Sequence, residues 1–189
     1  MRIIAGKFKR ITLYAPTDKK IRPLKDIVRE SIFNFLSHSN KIFFQIEQAN
    51  VLDLYSGTGS FGLECLSRQA NKVIFVEKEK EAIKILKKNI EKLKLEKKTK
   101  IFFNDAFSII KKKNICQSKF DLIFCDPPFK NTNIETLIEL IFNRNLLNKN
   151  GIIILHRNKT VKEKLPNFFK IIDARVYGMS KIIFGKFLY

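Results

Sequence analysis

The sequence predicts an α/β fold: a doubly wound, mostly parallel sheet that finishes in an antiparallel hairpin. Three observations carry this expectation. From about residue 49 onward, short apolar runs alternate with helical patterns, and strands alternating with helices build parallel βαβ units. The first apolar run opens into a glycine-rich loop, Ser56-Gly57-Thr58-Gly59-Ser60-Phe61-Gly62. The last two runs have no helix between them, only Gly178-Met179-Ser180, which reads as a hairpin turn at the sheet edge.

The elements follow in chain order. Residues 1–15 read as two short strands around Gly6-Lys7, and residues 26–37 as an amphipathic helix with Ile27, Val28, Ile32, Phe35 and Leu36 on its apolar face. Residues 1–25 carry eight basic side chains against one acid, Asp18. The alternation then begins with a strand at 50–54 and a helix at 59–69. A second strand at 72–77 precedes a helix at 80–94, whose Ile83, Leu86, Ile90 and Leu93 recur at three- and four-residue steps. A strand at 100–103, a helix at 106–112, a strand at 120–125, a helix at 133–145 and a strand at 151–156 complete the series. Runs at 168–177 and 181–189 supply the hairpin, for seven strands from residue 50 onward. The chain thus divides into a basic extension, residues 1–48, and a core, residues 49–189.

Composition narrows the partners. A chain of 189 residues is long enough to bury a real core, and 45% hydrophobic with 29% charged residues is the balance of a soluble globular protein. With 37 Lys and Arg against 18 Asp and Glu, the net charge is +19. Such a field favours a polyanion, and nucleic acid is the usual one. An A/T-rich coding bias also inflates lysine, but it leaves the field in place. Cys65, Cys116 and Cys125 are widely spaced and form no C-x-x-C pair, so neither zinc nor a disulfide framework is expected. The start lacks the apolar stretch of a signal peptide, and no run nears the ~18 apolar residues of a membrane span. A cytoplasmic monomer without membrane or metal is the expectation.

The chemistry lies at Asp126-Pro127-Pro128-Phe129, where the apolar run 120–125 stops. Proline lacks an N–H and fixes its own φ, so the pair holds a rigid, extended turn. Free carbonyls, one carboxylate and one aromatic face suit a flat ring bearing an exocyclic amine. The glycine loop contains G-x-G-x-x-G, with Glu77 about twenty residues on, which fits the dinucleotide fingerprint with the acid taking ribose hydroxyls. Asp53 stands just before the glycines, where it would repel a pyrophosphate but favour a cationic amine and a sulfonium. S-adenosyl-L-methionine carries both. The candidate cofactor residues are therefore Asp53, Ser56, Gly57, Gly59 and Glu77, with Asp105 and Ala106 after the third strand placed to read an adenine amine.

On these residues the chain resembles the class I methyltransferases. More narrowly, it is similar to the RsmD family, the guanine-N2 methyltransferases of small-subunit ribosomal RNA. The likeness runs nearly end to end. It rests on Arg2-Ile3-Ile4-Ala5-Gly6-Lys7, on Arg22-Pro23, and on Val28-Arg29-Glu30 with Phe33-Asn34. It continues through the 53–62 loop, Leu63-Glu64-Cys65-Leu66-Ser67-Arg68, Phe75-Val76-Glu77, Asp121-Leu122-Ile123, the 126–129 turn and Tyr177-Gly178. The superfamily signature is widely shared, and the N-terminal block is what narrows it. The resemblance implies a Rossmann-like seven-stranded fold and N2-methylguanine as product, made in 16S rRNA of the small subunit or its assembly intermediate. Leu24 stands where the family usually has threonine, Ile27 where it has a basic residue, and His156 where an acid is common. His156 reads as a strand-end residue.

The roles follow. Asp126 and the Pro127 carbonyl accept from the two N–H groups of the amine, and Phe129 stacks on a base splayed out of its loop. Lys7, Lys9, Arg10 and Arg22 contact RNA phosphates. Arg29 does the same or caps the cofactor pocket, and Glu64 pairs with a lysine. A D-P-P-aromatic turn suits any planar amine, so an adenine-N6 methyltransferase stays open. So does a non-catalytic RNA-binding assembly factor, which intact loops disfavour. A nicotinamide-dependent dehydrogenase fails on Asp53 and on the lack of a hydride-site partner.

Overall fold

The computed structural model describes residues 1–16, 24–112, 115, 119–128 and 133–189. Its strands are β1 (Asn50–Leu54), β2 (Lys72–Glu77), β3 (Thr99–Phe103), β4 (Phe120–Cys125), β5 (Leu147–Asn158), β6 (Phe169–Tyr177) and β7 (Ser180–Phe187). The helices are α1 (Asp26–His38), α2 (Ser60–Ser67), α3 (Lys80–Leu93), α4 (Ala106–Lys111) and α5 (Ile134–Asn143). One sheet holds all seven strands in the order β3-β2-β1-β4-β5-β7-β6. The first five run parallel, and β7 pairs antiparallel with both β5 and β6. This is the Rossmann-like sheet with a terminal hairpin that the alternation predicts.

Why β1 is central is written in its residues. Val51, Leu52, Asp53 and Leu54 are all buried, as a strand covered on both faces requires. The chain enters the sheet at β1, winds outward to β3 on one side, then returns to β4 on the other. A crevice therefore opens beyond the carboxyl ends of β1 and β4, where ligands of such sheets bind. The β1–β4 register pairs Leu54 with Cys125, so the glycine loop and Asp126 leave the sheet side by side.

Two apolar clusters sandwich the sheet. One joins Val28 and Phe33 of α1, Phe61 of α2 and Leu86 of α3, and the other joins Ala106 of α4 and Leu137 of α5. Ile3 and Leu13 from the N-terminal segment belong to the first. That segment is a looped hairpin with a single ladder bridge, Arg2 to Thr12, rather than two regular strands. Its backbone bonds include Ile3 N–H to Ile11 O at 3.0 Å and Leu13 N–H to Met1 O at 3.0 Å. It lies so close to α2 that a Cβ on Gly6, at φ +81°, would meet Ser67 O at 2.0 Å. Only glycine tolerates that approach and that φ.

Strand β5 begins four residues before the apolar run that predicts it. Phe120 pairs with Leu147 ahead of a register shift, so the polar Asn148-Lys149-Asn150 stretch lies within the strand. An expectation built on apolar runs misses a strand that starts polar.

Candidate active site

Beyond β1 the backbone turns through Tyr55 (φ 59°), Gly57 (φ 54°) and Gly59 (φ 83°) before α2 begins. Gly62 completes the motif for a packing reason, since a Cβ there would stand 2.4 Å from the Phe75 ring. Asp53 fixes the loop from below, its Oδ2 accepting the Gly62 N–H at 3.0 Å. Its other oxygen, Oδ1, is buried without a partner, and so is Ser56 Oγ. Burial pushes the Asp53 carboxyl well above the ordinary carboxylate range against the lowering effect of the Gly62 N–H, and the charges of Asp126 and Glu77 add to the rise. A carboxylate in that condition is relieved by a cation.

The pocket beside it is lined by Leu24, Asp53, Tyr55, Ser56, Gly57, Thr58, Ser60, Phe61, Phe124 and Asp126. Two carboxylates and no basic side chain are among these residues, a set that fits an ammonium or sulfonium and not a pyrophosphate. Glu77, at the end of β2, accepts the Gly57 N–H at 2.7 Å through Oε2. Its Oε1 takes the Lys78 and Glu79 N–H groups at 2.7 and 2.9 Å. The Asn104 N–H bonds to Glu77 O at 3.0 Å, which brings Asp105 and Ala106 to the same rim. Asp105 caps α4, its Oδ1 accepting from Phe107 and Ser108 N–H, and Ala106 is buried as the first residue of that helix.

Across the crevice, Asp126 continues β4, its N–H 3.4 Å from Leu54 O. Its side chain is 22% exposed, and Oδ1 lies 2.7 Å from His156 Nδ1. Pro127 is buried and Pro128 exposed. Phe129 lies outside the described residues, as does Arg22. Lys7, Lys9 and Arg10 are exposed on the looped hairpin.

Arg29 requires a correction. It is fully buried, where it cannot meet an RNA phosphate. Its Nη2 donates to Arg2 O at 2.5 Å and to Asp26 Oδ1 at 2.9 Å, and its Nε stands 3.9 Å from Glu64 Oε2. Burial lowers its proton affinity, and the carboxylates of Asp26 and Glu64 offset that. Among the described residues Glu64 pairs with no lysine: it accepts the Ile4 and Ala5 N–H groups at 2.7 and 2.9 Å and Arg68 Nε at 2.9 Å. The arginine and the glutamate fasten the N-terminal block to α2.

Two residues matter for which the sequence offers little or no warning. His156 touches Asp126 on one side and Ser180 Oγ, 2.9 Å away, on the other. Asn89 is buried in α3 and ties the hairpin to the glycine loop. Its Oδ1 accepts the Tyr14 N–H at 2.7 Å, and its Nδ2 donates to Tyr14 O and Thr58 O, both at 3.1 Å. A signal for it exists, since asparagine sits beside Ile90 and between Leu86 and Leu93 on an otherwise apolar face.

The sequence model of the family described as "Conserved hypothetical protein 95" matches residues 1–186. The chain is 33% identical to ribosomal RNA small subunit methyltransferase D of Haemophilus influenzae, over 95% of this chain and 90% of that one. It is similar to the solved structure of the Escherichia coli protein yhhF, with 26% identity and a TM-score of 0.85, over 99% of this chain and 97% of that one. SMU.776, solved in complex with SAH, shares the fold at 19% identity and a TM-score of 0.62, over 84% of this chain and 48% of that one.

Proposed function

This chain belongs to the ribosomal RNA small subunit methyltransferase D (RsmD) family, and from that premise we propose that it methylates the exocyclic N2 amine of a guanine in 16S rRNA, using S-adenosylmethionine. The observation that carries the reading is the pairing of two carboxylates in one pocket. Asp53 keeps a buried, unpartnered oxygen beside the glycine loop, and Asp126 faces it from the end of β4. The first suits the cationic methyl donor and the second suits the amine that receives the methyl group. The SAH held by SMU.776 supports the donor assignment at the level of the fold.

S-adenosylmethionine supplies a sulfonium methyl whose leaving group is a neutral thioether. What the protein contributes is orientation, exclusion of water and placement of charge. Asp53 Oδ1 and Ser56 Oγ would accept from the ammonium of the donor, and Glu77, which holds the loop through the Gly57 N–H, would take its ribose. Asp105 and Ala106 would border the adenine. Asp126 and the Pro127 carbonyl accept from the two N–H groups of the guanine amine and point its nitrogen at the methyl carbon. That nitrogen is a weak nucleophile because its lone pair is delocalised into the ring, so an adjacent carboxylate stabilises the positive charge developing on it. The proton becomes acidic only after attack, and Asp126 receives it then. Phe129 stacks on the base. Lys7, Lys9, Arg10 and Arg22 hold phosphates around it, on the small subunit or an assembly intermediate in the cytoplasm, with the protein acting as a monomer. No helix among the described residues is long and apolar enough to cross a membrane.

The test is incubation with labelled S-adenosylmethionine and, separately, unmethylated small subunits, naked 16S rRNA and duplex DNA. Nucleoside analysis should return N2-methylguanosine from one of the RNA substrates. Labelled N6-methyladenine would replace guanine by adenine, and no label in any substrate would leave an assembly factor.

A further inference from the structure

We propose that His156 is the positioning residue of Asp126, a role that rests on the methyl-transfer reading above. Strand register brings the two together. Cys125 pairs with Leu155 across the parallel β4–β5 ladder, which sets positions 126 and 156 abreast at the carboxyl ends. On its other side β5 pairs with β7, His156 opposite Ile182, which brings Ser180 within reach of the same ring. The imidazole is held at both nitrogens, Nδ1 2.7 Å from Asp126 Oδ1 and Nε2 2.9 Å from Ser180 Oγ. It is 8% exposed. His156 is no strand end, since β5 runs on to Asn158, and its ring is held by two directed bonds in a shielded place.

The donor pattern follows from the chemistry of the partners. An ionised carboxylate only accepts, so Nδ1 carries the hydrogen and donates to Asp126. In the neutral ring Nε2 is then an acceptor, and the Ser180 hydroxyl donates to it. Asp126 Oδ1 is thereby committed, rotation of the carboxylate is arrested, and Oδ2 is left for the substrate. In the reaction the amine lone pair forms the new N–C bond and the C–S bonding pair leaves with sulfur. The proton released by the amine passes to Asp126 Oδ2. A neutral imidazole orients the carboxylate without cancelling the charge that stabilises the cationic amine. The ring does for Asp126 what a carboxylate does for a catalytic histidine, with the roles exchanged.

Single-turnover methylation of unmethylated small subunits separates the possibilities. His156→Ala should slow the chemical step by about tenfold or more with the KM for S-adenosylmethionine unmoved, the split expected when an interaction acts in the transition state. His156→Asn, whose amide can donate from near the Nδ1 position, should recover most of that loss. In an Asp126→Ala background, removing His156 should cost nothing further, because residues acting as one unit are non-additive. Thermal midpoints measured on each variant identify any that has failed to fold, and His156→Asn keeps the test available should His156→Ala be one of them. A wild-type rate for His156→Ala, no recovery with asparagine, or additive losses in the double variant would each overturn the role. Retained activity in Asp126→Ala alone would instead remove Asp126 from catalysis, a failure of the functional reading rather than of this one.

Discussion

Asp53 and Asp126 lie in one pocket and answer to opposite demands. Asp53 is costly to the ligand-free protein, since its charge is buried with one oxygen unpaired. Its raised proton affinity means that ionising it opposes folding. The contribution is favourable below the ordinary carboxylate range and is lost as pH rises through the raised value. Asp53→Asn should therefore raise the thermal midpoint of the ligand-free protein above that range, by roughly 2–4 °C for each ~1 kcal/mol relieved. The gap between variant and wild type should close as pH falls through the raised value. Calorimetry on the same variant should show S-adenosylmethionine binding weakened by roughly 10- to 150-fold, the loss of about 1.5–3 kcal/mol for a hydrogen bond to a charged group. A stabilised variant with wild-type affinity would place the donor elsewhere. Asp126 is more exposed and hydrogen-bonded, and the role proposed for it lies in the transition state. Asp126→Ala should cut turnover by about 10²-fold or more with the dissociation constant for S-adenosylmethionine nearly unchanged, the magnitude usual for general acid–base groups. Asp126→Asn should keep part of the rate, because the amide oxygen still accepts. Both aspartates could be read from the sequence, Asp53 inside the apolar run that opens into the glycine loop and Asp126 where an apolar run stops at two prolines. His156 could not, because its partners sit 30 and 24 residues away and meet it only through strand register.

At the scale of elements, what the sequence made visible was the alternation, because apolar runs and helical steps are local properties, and parallel βαβ units in a doubly wound sheet follow from it. The order of the strands is non-local and comes from their pairing in the structure. The polar start of β5 was hidden because its pairing with Phe120 is non-local. The same holds for the seat of the N-terminal hairpin, whose basic surface reads as an RNA arm but whose backbone is fastened by buried side chains. Glu64 takes two of its N–H groups, and Asn89 takes one N–H and one carbonyl while also holding Thr58 of the glycine loop. Arm and cofactor loop are thus joined by one amide. Asn89→Ala strands one buried carbonyl, Thr58 O, and removes the part-buried bonds of Tyr14, and a buried group left unsatisfied costs about 1–3 kcal/mol. It should lower stability by roughly that amount, speed hydrogen exchange across residues 1–16, and weaken S-adenosylmethionine through the loosened loop. Unchanged exchange in the arm would mean that the apolar packing of Ile3 and Leu13 suffices to seat it.

For the whole molecule, the decisive quantity is the net charge of +19, which either steers RNA or only decorates the surface. Burial separates the two populations of basic side chains in the N-terminal block. Arg29 is spent internally on Asp26 and Glu64, so its charge is withdrawn from any phosphate. Lys7, Lys9 and Arg10 are exposed on a hairpin whose backbone is pinned to α2, for example through Lys7 N–H to Ser67 O at 2.8 Å. A fixed backbone bearing exposed cations is suited to phosphates, because little ordering entropy is given up on binding. Neutralising Lys7, Lys9, Arg10 and Arg22 together should weaken binding to rRNA or small subunits. It should also flatten the dependence of log K on log salt, by ~0.7 for each single-stranded phosphate that is no longer neutralised. S-adenosylmethionine affinity should hold steady, since Lys7, Lys9 and Arg10 are not among the described residues that line the pocket. That independence distinguishes these substitutions from Asn89→Ala, which touches the same hairpin but reaches the loop. If the salt slope of the fourfold variant matched the wild type, the phosphates would be held by another face. The exposed lysines of α3, beginning at Lys92 where its Nζ meets Thr12 O at 2.7 Å, would be the next to neutralise.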